Sequence, residues 1–152
     1  MAGSNVPRTC YVNILIPTDG SEVAWEAAKH AIYLAKQCGS KLHAIYVIEG
    51  GKAFKSGIHY RDAFKDMFSE GNKAVEKVKK LAKKEGVECI TKVLDGDPTK
   101  EILNYASESN CDLIVIGSVG IGAIEKVLIG SVTSSVVERA KSSVHVVRPS
   151  WR

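Results

Sequence analysis

A chain of 152 residues, 45% of them apolar, can bury a core without disulfides or metals, so one globular domain over residues 1–152 is expected. No run reaches the roughly 18 apolar residues of a membrane helix, and the opening MAGSNVPRTC has no apolar leader, so the chain reads as cytoplasmic with no membrane partner. The net charge of +4 is mild; its densest source, EKVKKLAKKE, interleaves lysine and glutamate with Val78, Leu81 and Ala82 at helical spacing, a solvated helix face that argues against a nucleic-acid partner.

Short β-branched runs alternate along the chain with longer helical patterns. The run YVNILIPT, residues 11–18, predicts a strand buried on both faces. Asp19-Gly20-Ser21 then turns the chain, with Ser21 as N-cap and Glu22 in the first turn of a helix that runs to about Gln37 and stops at Gly39. KLHAIYVI is the second strand. Residues 49–60 carry Gly and Lys without periodicity and read as a loop. A long helix follows with Phe64, Met67, Phe68, Ala74, Val75, Val78, Leu81 and Ala82 on one stripe, weakened or bent at Gly71 and stopped by Gly86. VECITKVL is a third strand whose Glu88, Thr91 and Lys92 place it at a sheet edge. In DGDPTKEIL, Asp97 caps and Pro98 fits the first helical position. CDLIVIG is the fourth and most apolar strand, a helix runs from Ser131 to about Ala140, and SVHVVR closes the chain's regular structure as a fifth strand.

This β-α-β-α-β-α-β-α-β order predicts an α/β fold: an open, doubly wound parallel sheet of five strands with helices on both faces, Rossmann-like. With strand one beside strand four, the order is 3-2-1-4-5, and the crevice where the winding reverses brings Thr18-Asp19-Gly20 against the glycine-rich run from Gly117. Glycines let backbone approach a ligand, and the first N–H groups of a helix are unpaired and partly positive. Gly117 and Gly120 leave the fourth strand, and Gly130-Ser131 opens the next helix with the hydroxyls of Ser131 and Thr133 in reach, so the segment predicts an anion site under an arch of residues 121–129. Two familiar phosphate loops are excluded. Gly51-Lys52 is followed by Ala53 and lacks the first glycine of a Walker A loop, and GIGAIE has Glu125 where a dinucleotide fingerprint needs its third glycine.

By spacing, Gly117-x2-Gly120-x9-Gly130-Ser131 resembles the signature of the ATP-binding branch of the universal stress protein family. ILIPTDGSE, YVIE and HVVR resemble that family's first strand and turn, second strand end and last strand. The resemblance implies adenine and ribose contacts at the backbone of Pro17 and Thr18, the Asp19 carboxylate and the backbone of Val47. It implies phosphate contacts at Gly117, Gly120, Gly130, Ser131, Val132 and Thr133, with Gly122 either a ligand contact or a loop bend. The implied cofactor is ATP, or ADP or AMP, with Mg2+ or Mn2+ held mainly by the phosphates. A homodimer through the last strand, between Val144 and Arg148, and an unidentified protein partner are implied as well. Val119 and Ile121 depart from the family pattern, which often carries histidine at the first and a basic or polar residue at the second, so these two positions offer no side-chain cation to the terminal phosphates.

The function expected is therefore a stress-response regulatory module that acts through nucleotide-dependent conformation. A slow ATP hydrolase or phosphotransferase and an interaction protein without nucleotide are the alternatives. His30, His43, His59 and His145 have no metal spacing and read as structural, and Cys10, Cys38, Cys89 and Cys111 form no CxxC pair and read as reduced, mostly buried thiols.

Overall fold

The computed structural model describes residues 10–56, 59–123 and 128–150. In chain order it contains β1 (Asn13–Pro17), α1 (Glu22–Cys38), β2 (Lys41–Ile48), α2 (Gly50–Ser56), α3 (Tyr60–Lys84), β3 (Cys89–Asp95), α4 (Pro98–Glu108), β4 (Leu113–Gly117), α5 (Ser131–Arg139) and β5 (Ser143–Val147). All strand pairs are parallel and the sheet order is β3-β2-β1-β4-β5, as expected. The polar third strand lies at one edge, and β4, buried at every residue, lies inside. No helix of the described residues is long and apolar enough to cross a membrane.

Alternation along the strands divides the core in two. Ile14, Ile16, Leu42, Ala44, Leu113 and Val115 face α1 and α3, where small Ala27, Ala28, Ala31 and Ala35 let α1 lie close to the sheet. Leu15, Ile45, Ile114 and Ile116 face Ile102 and Ala106 of α4 and Val136 of α5. The helix ends are written locally. Ser21 Oγ accepts from Ala24 N at 3.1 Å, Asp97 Oδ2 accepts from Lys100 N at 3.0 Å, and Gly39 and Gly86 end α1 and α3 with φ of 67° and 74°.

Three expectations are corrected. Residues 50–56 are helical, because the cap comes from a distant strand: Asp95 Oδ1, at the end of β3, accepts from Gly50 N at 2.8 Å. The Phe54 and Tyr60 rings then meet edge to face at 5.4 Å, joining α2 to α3. Gly71 does not interrupt α3, and it makes a contact there. A Cβ there would lie 2.8 Å from Tyr46 Cδ1 and 3.2 Å from Val93 Cγ1, so glycine lets α3 approach the β2–β3 edge. Beyond it Phe64, Met67 and Phe68 are only partly covered, and Phe68 is 44% exposed. Of the thiols, Cys89 and Cys111 are buried, Cys38 is half-buried and Cys10 exposed.

His43 is a structural residue inside β2. Its Nε2 donates to Asn13 Oδ1 at 3.2 Å, which leaves Nδ1 to accept from the Tyr105 hydroxyl at 2.9 Å. Burial, helped by the charge of Lys41 and opposed by Glu88, holds this histidine below its ordinary 6.5.

Two outcomes follow from these contacts. Gly71→Ala gains up to about 1 kcal/mol of helix propensity but overpacks the interface at a cost of about 1–3 kcal/mol, so urea unfolding will show a net loss of stability. The unfolded chain protonates His43 near 6.5 while the native chain resists, so stability falls as pH drops from about 6.5 toward the native value. The loss between about pH 7.5 and 5.5 will be smaller in His43→Gln.

Candidate nucleotide site

Winding reverses between β1 and β4, which pair through Ile14 with Leu113 and Leu15 with Ile114. Their carboxyl ends, with that of β2, open on a cavity of about 510 Å³. All eleven candidate residues line it: Pro17, Thr18, Asp19, Val47, Gly117, Gly120, Gly122, Gly130, Ser131, Val132 and Thr133. Of the expected arch over 121–129, residues 124–127 lie outside the described residues.

Asp19 joins the two sides of the cavity. Its Oδ1 accepts from Ser21 N and its Oδ2 from Ile121 N, each at 3.0 Å. A Cβ on Gly120 would sit 2.7 Å from Asp19 Oδ2, so the close approach of arch to carboxylate requires glycine there. One lone pair on each carboxylate oxygen stays open.

Beside Asp19, Thr18 N donates to Ile45 O at 2.8 Å, the last rung between β1 and β2. Peptide groups two residues apart on a strand point the same way, so the N–H and C=O of Val47 face the gap that β1 leaves when it turns at Asp19. Thr18 N is thus committed to the sheet and Pro17 has no N–H, so neither offers a backbone donor to the cavity they line. Tyr46, Pro98, Ile102 and Ile116 add a largely apolar wall, and burial, with the charges of Glu70 and Asp19, keeps the Tyr46 phenol protonated above its ordinary 10.0.

The opposite end is the start of α5. Gly130, not Ser131, is the N-cap, with φ −73° and ψ 162° and no capping side chain. The amides of Ser131, Val132 and Thr133 therefore open on the cavity without an intrahelical partner. Two expected donors are already used: Gly130 N donates to Ser118 O at 2.7 Å, pinching the arch shut at its base, and Thr133 Oγ1 donates to Gly117 O at 2.7 Å. Thr133 can offer an anion only its backbone N–H. Gly117 serves packing, since a Cβ there would fall 2.8 Å from Val23 Cγ1 of α1. Gly122 lies at φ 74°, a bend that favours glycine. Val119 is buried, while Ile121 is 71% exposed.

The sequence reading missed Tyr46, Glu49, Pro98 and Ile102 as lining residues. Only Tyr46 carried a usable signal, as the neighbour of Val47 at the end of an interior strand. The only carboxylates lining the cavity among the described residues are Asp19 and Glu49, and no group of three or more His, Cys, Asp or Glu among them is arranged to hold a metal.

Comparison with known proteins bears on this site. A sequence model of the universal stress protein family matches residues 11–148. A universal stress protein of Methanocaldococcus jannaschii is 41% identical over 143 residues, 91% of this chain and 82% of that protein. The structure of the universal stress protein UspA from Lactobacillus plantarum is similar with a TM-score of 0.82 at 28% identity, covering 91% of this chain and 99% of that one. A universal stress protein solved in complex with cAMP is similar with a TM-score of 0.69 at 25% identity, covering 92% and 98%.

Gly120→Ala will push the Asp19 carboxylate off Ile121 N. Loss of a charge-assisted hydrogen bond of about 1.5–3 kcal/mol will speed exchange of the Ile121 amide about tenfold or more, with the amides of β1 and β4 unchanged in NMR exchange. Equal protection in both proteins would contradict this bond.

Proposed function

The chain belongs to the universal stress protein family, and we propose that it is an ATP-binding regulatory member of it, holding the nucleotide in the cleft between β1, β4 and the start of α5. One observation carries the reading: at a single crevice, Asp19 with two open lone pairs stands across from three uncapped helix amides, at the place where doubly wound sheets bind ligands. The cis-diol of a ribose supplies two hydroxyl donors, the number the carboxylate can still accept. The unpaired peptide groups of Val47 suit the hydrogen-bonding edge of adenine, and Ile102, Ile116 and Pro98 suit its faces. The amides of Ser131, Val132 and Thr133, with the Ser131 hydroxyl, suit phosphate. The relative solved with cAMP supports an adenine nucleotide as the ligand class.

Mg2+ or Mn2+ would be held mainly by the phosphates and water, because Asp19 stands across the cleft from the α5 amides that suit phosphate and Glu49 is ion-paired to Lys52 at 2.9 Å. When bound, the ion supplies charge neutralisation at the phosphates. The arch, tied to the site by Asp19 and Gly130, is the surface whose position reports occupancy to a protein partner. The open edge of β5, between Val144 and Arg148, is where we place a homodimer, since it is one of the sheet's two edge strands and carries the half-buried Val144 and Val146.

Denaturing the purified protein and identifying the released molecule by mass spectrometry, with titrations of ATP, ADP and AMP with and without Mg2+, tests the proposal. ATP is expected to bind, and Asp19→Ala to weaken it about 10- to 100-fold, the worth of one net hydrogen bond to a charged group. Gly130→Val, whose added Cβ meets only ordinary contacts, should leave the fold intact and block the phosphate end. Normal circular dichroism with unchanged affinity in both variants overturns the reading.

A further inference from the structure

A second groove, of about 290 Å³, lies between α1 and α3 and ends at the turn that carries Asp19. Thr18 lines both this groove and the cleft, while Gly20 and Ser21 line only the groove. Its floor is apolar, formed by Ala74 and Val78 of α3 beside the half-buried Trp25 of α1. Its rim is basic. Lys73 and Lys77 line it, and Lys77 Nζ stands 4.0 Å from the centre of the Trp25 ring.

Helical geometry extends that rim along α3. At about 100° per residue, Lys73, Lys77, Lys80 and Lys84 fall within about 60° of one another, at positions i, i+4, i+7 and i+11, over roughly 16 Å of helix axis. All four are exposed, and among the described residues none is ion-paired. The neighbouring carboxylates are engaged elsewhere: Glu26 and Glu85 hold Lys29 and Lys36 of α1 at 2.6 and 3.0 Å, and Glu76 accepts from Thr91 Oγ1 of β3. One carboxylate, Glu70, lines the groove at its cleft end. Like charges a turn apart repel, so the stripe costs the free chain stability that α1 avoids by pairing its own lysines.

We propose that this rim docks an acidic amphipathic helix of a partner protein. Its carboxylates repeat at the same i, i+4, i+7, i+11 spacing, and its apolar face sets one side chain into the groove over Ala74 and Val78. Only a helix keeps that register. It rises about 1.5 Å per residue as α3 does, so each carboxylate meets a lysine. An extended acidic segment presents same-face side chains about 6.6 Å apart and falls out of step with lysines spaced about 4.5–6 Å along the axis. Single-stranded nucleic acid fits less well, because Lys77 occupies the Trp25 face on which a base would stack. A helix seated here touches the turn on which Asp19 stands, rather than the arch.

The test is an NMR titration of the nucleotide-free full chain with two stapled helical peptides of one composition. In the first, glutamates stand at i, i+4, i+7 and i+11 with a leucine beside them; in the second the same residues are spread around the helix. The first is expected to bind at least about fivefold tighter, shifting the Trp25 indole and the amides of residues 73–84. The double variants Lys73→Gln/Lys77→Gln and Lys80→Gln/Lys84→Gln, with circular dichroism unchanged, should each weaken it about threefold or more. Equal binding of the two peptides overturns the proposal, as does a shift pattern centred elsewhere or an affinity unchanged in either double variant. Oligothymidylate or phosphatidylserine vesicles bound more tightly than the first peptide through the same lysines also overturn it, in favour of a nucleic-acid or membrane surface. No nucleotide enters the titration, so its outcome is separate from that of the function proposed for the cleft.

Discussion

The site depends on β1 being flanked on both sides by parallel neighbours whose crossovers leave to opposite faces. β1 pairs with β2 on one side over five residues, but with β4 on the other over only Ile14 and Leu15. The ladder to β4 stops there because the next residue of β1 facing β4 is Pro17, which has no N–H to donate, and α1 and α5 depart to different layers. A crevice at that point follows from topology before any functional side chain is considered. The sequence then supplies only what topology cannot: a carboxylate on one lip and unpaired amides on the other.

The glycines that mark the segment after β4 serve different ends. Gly117 admits α1 to the sheet, Gly120 admits the arch to Asp19, Gly122 takes a left-handed bend, and Gly130 caps a helix without a side chain. Only the last of these directly exposes donors to a ligand. The other three build the wall against which the donors are presented, so the motif is better understood as a set of close approaches than as a row of phosphate contacts. The buried Thr133 hydroxyl belongs with the wall, since its bond to Gly117 O fastens α5 to the end of β4.

The sheet and its order were readable in the sequence from hydrophobic periodicity and helix caps, and Thr18, Asp19, Gly117, Gly120, Gly130, Ser131 and Thr133 from the switch point and the spacing of glycines, whereas Pro17, Val47, Gly122 and Val132 were named only through the family resemblance. What was not readable depended on distant contacts. α2 has no apolar period in the sequence, and at its start Asp95, at the end of a strand 45 residues away, accepts from Gly50 N. Gly71 looks like a helix weakness until Tyr46 and Val93 are seen against it. Ser131 resembles an N-cap by type, yet the extended backbone at Gly130 moves the cap one residue earlier, and that shift leaves Ser131 free to face the cavity. The roles of Gly130 N and the Thr133 hydroxyl were likewise invisible, because both are spent on backbone carbonyls near the end of β4.

The placement of Asp19 bears on how a bound nucleotide could act at a distance. A carboxylate on a strand-to-helix turn is free to rotate unless something holds it, and here Ser21 N fixes one oxygen while Ile121 N fixes the other. The second donor comes from the arch, so the orientation that suits a ribose diol is the orientation that a closed arch enforces. Under the proposed function, ribose binding and arch closure therefore favour each other through one side chain. Linkage makes the effect reciprocal: whatever free energy the closed arch adds to nucleotide affinity, the nucleotide adds to arch closure. A partner that recognises the arch in this position would tighten nucleotide binding by the same factor, and one that pulled Ile121 away would loosen it. Regulation of this kind needs no hydrolysis and no cation at positions 119 and 121, which accommodates apolar Val119 and Ile121 where basic groups would otherwise be expected.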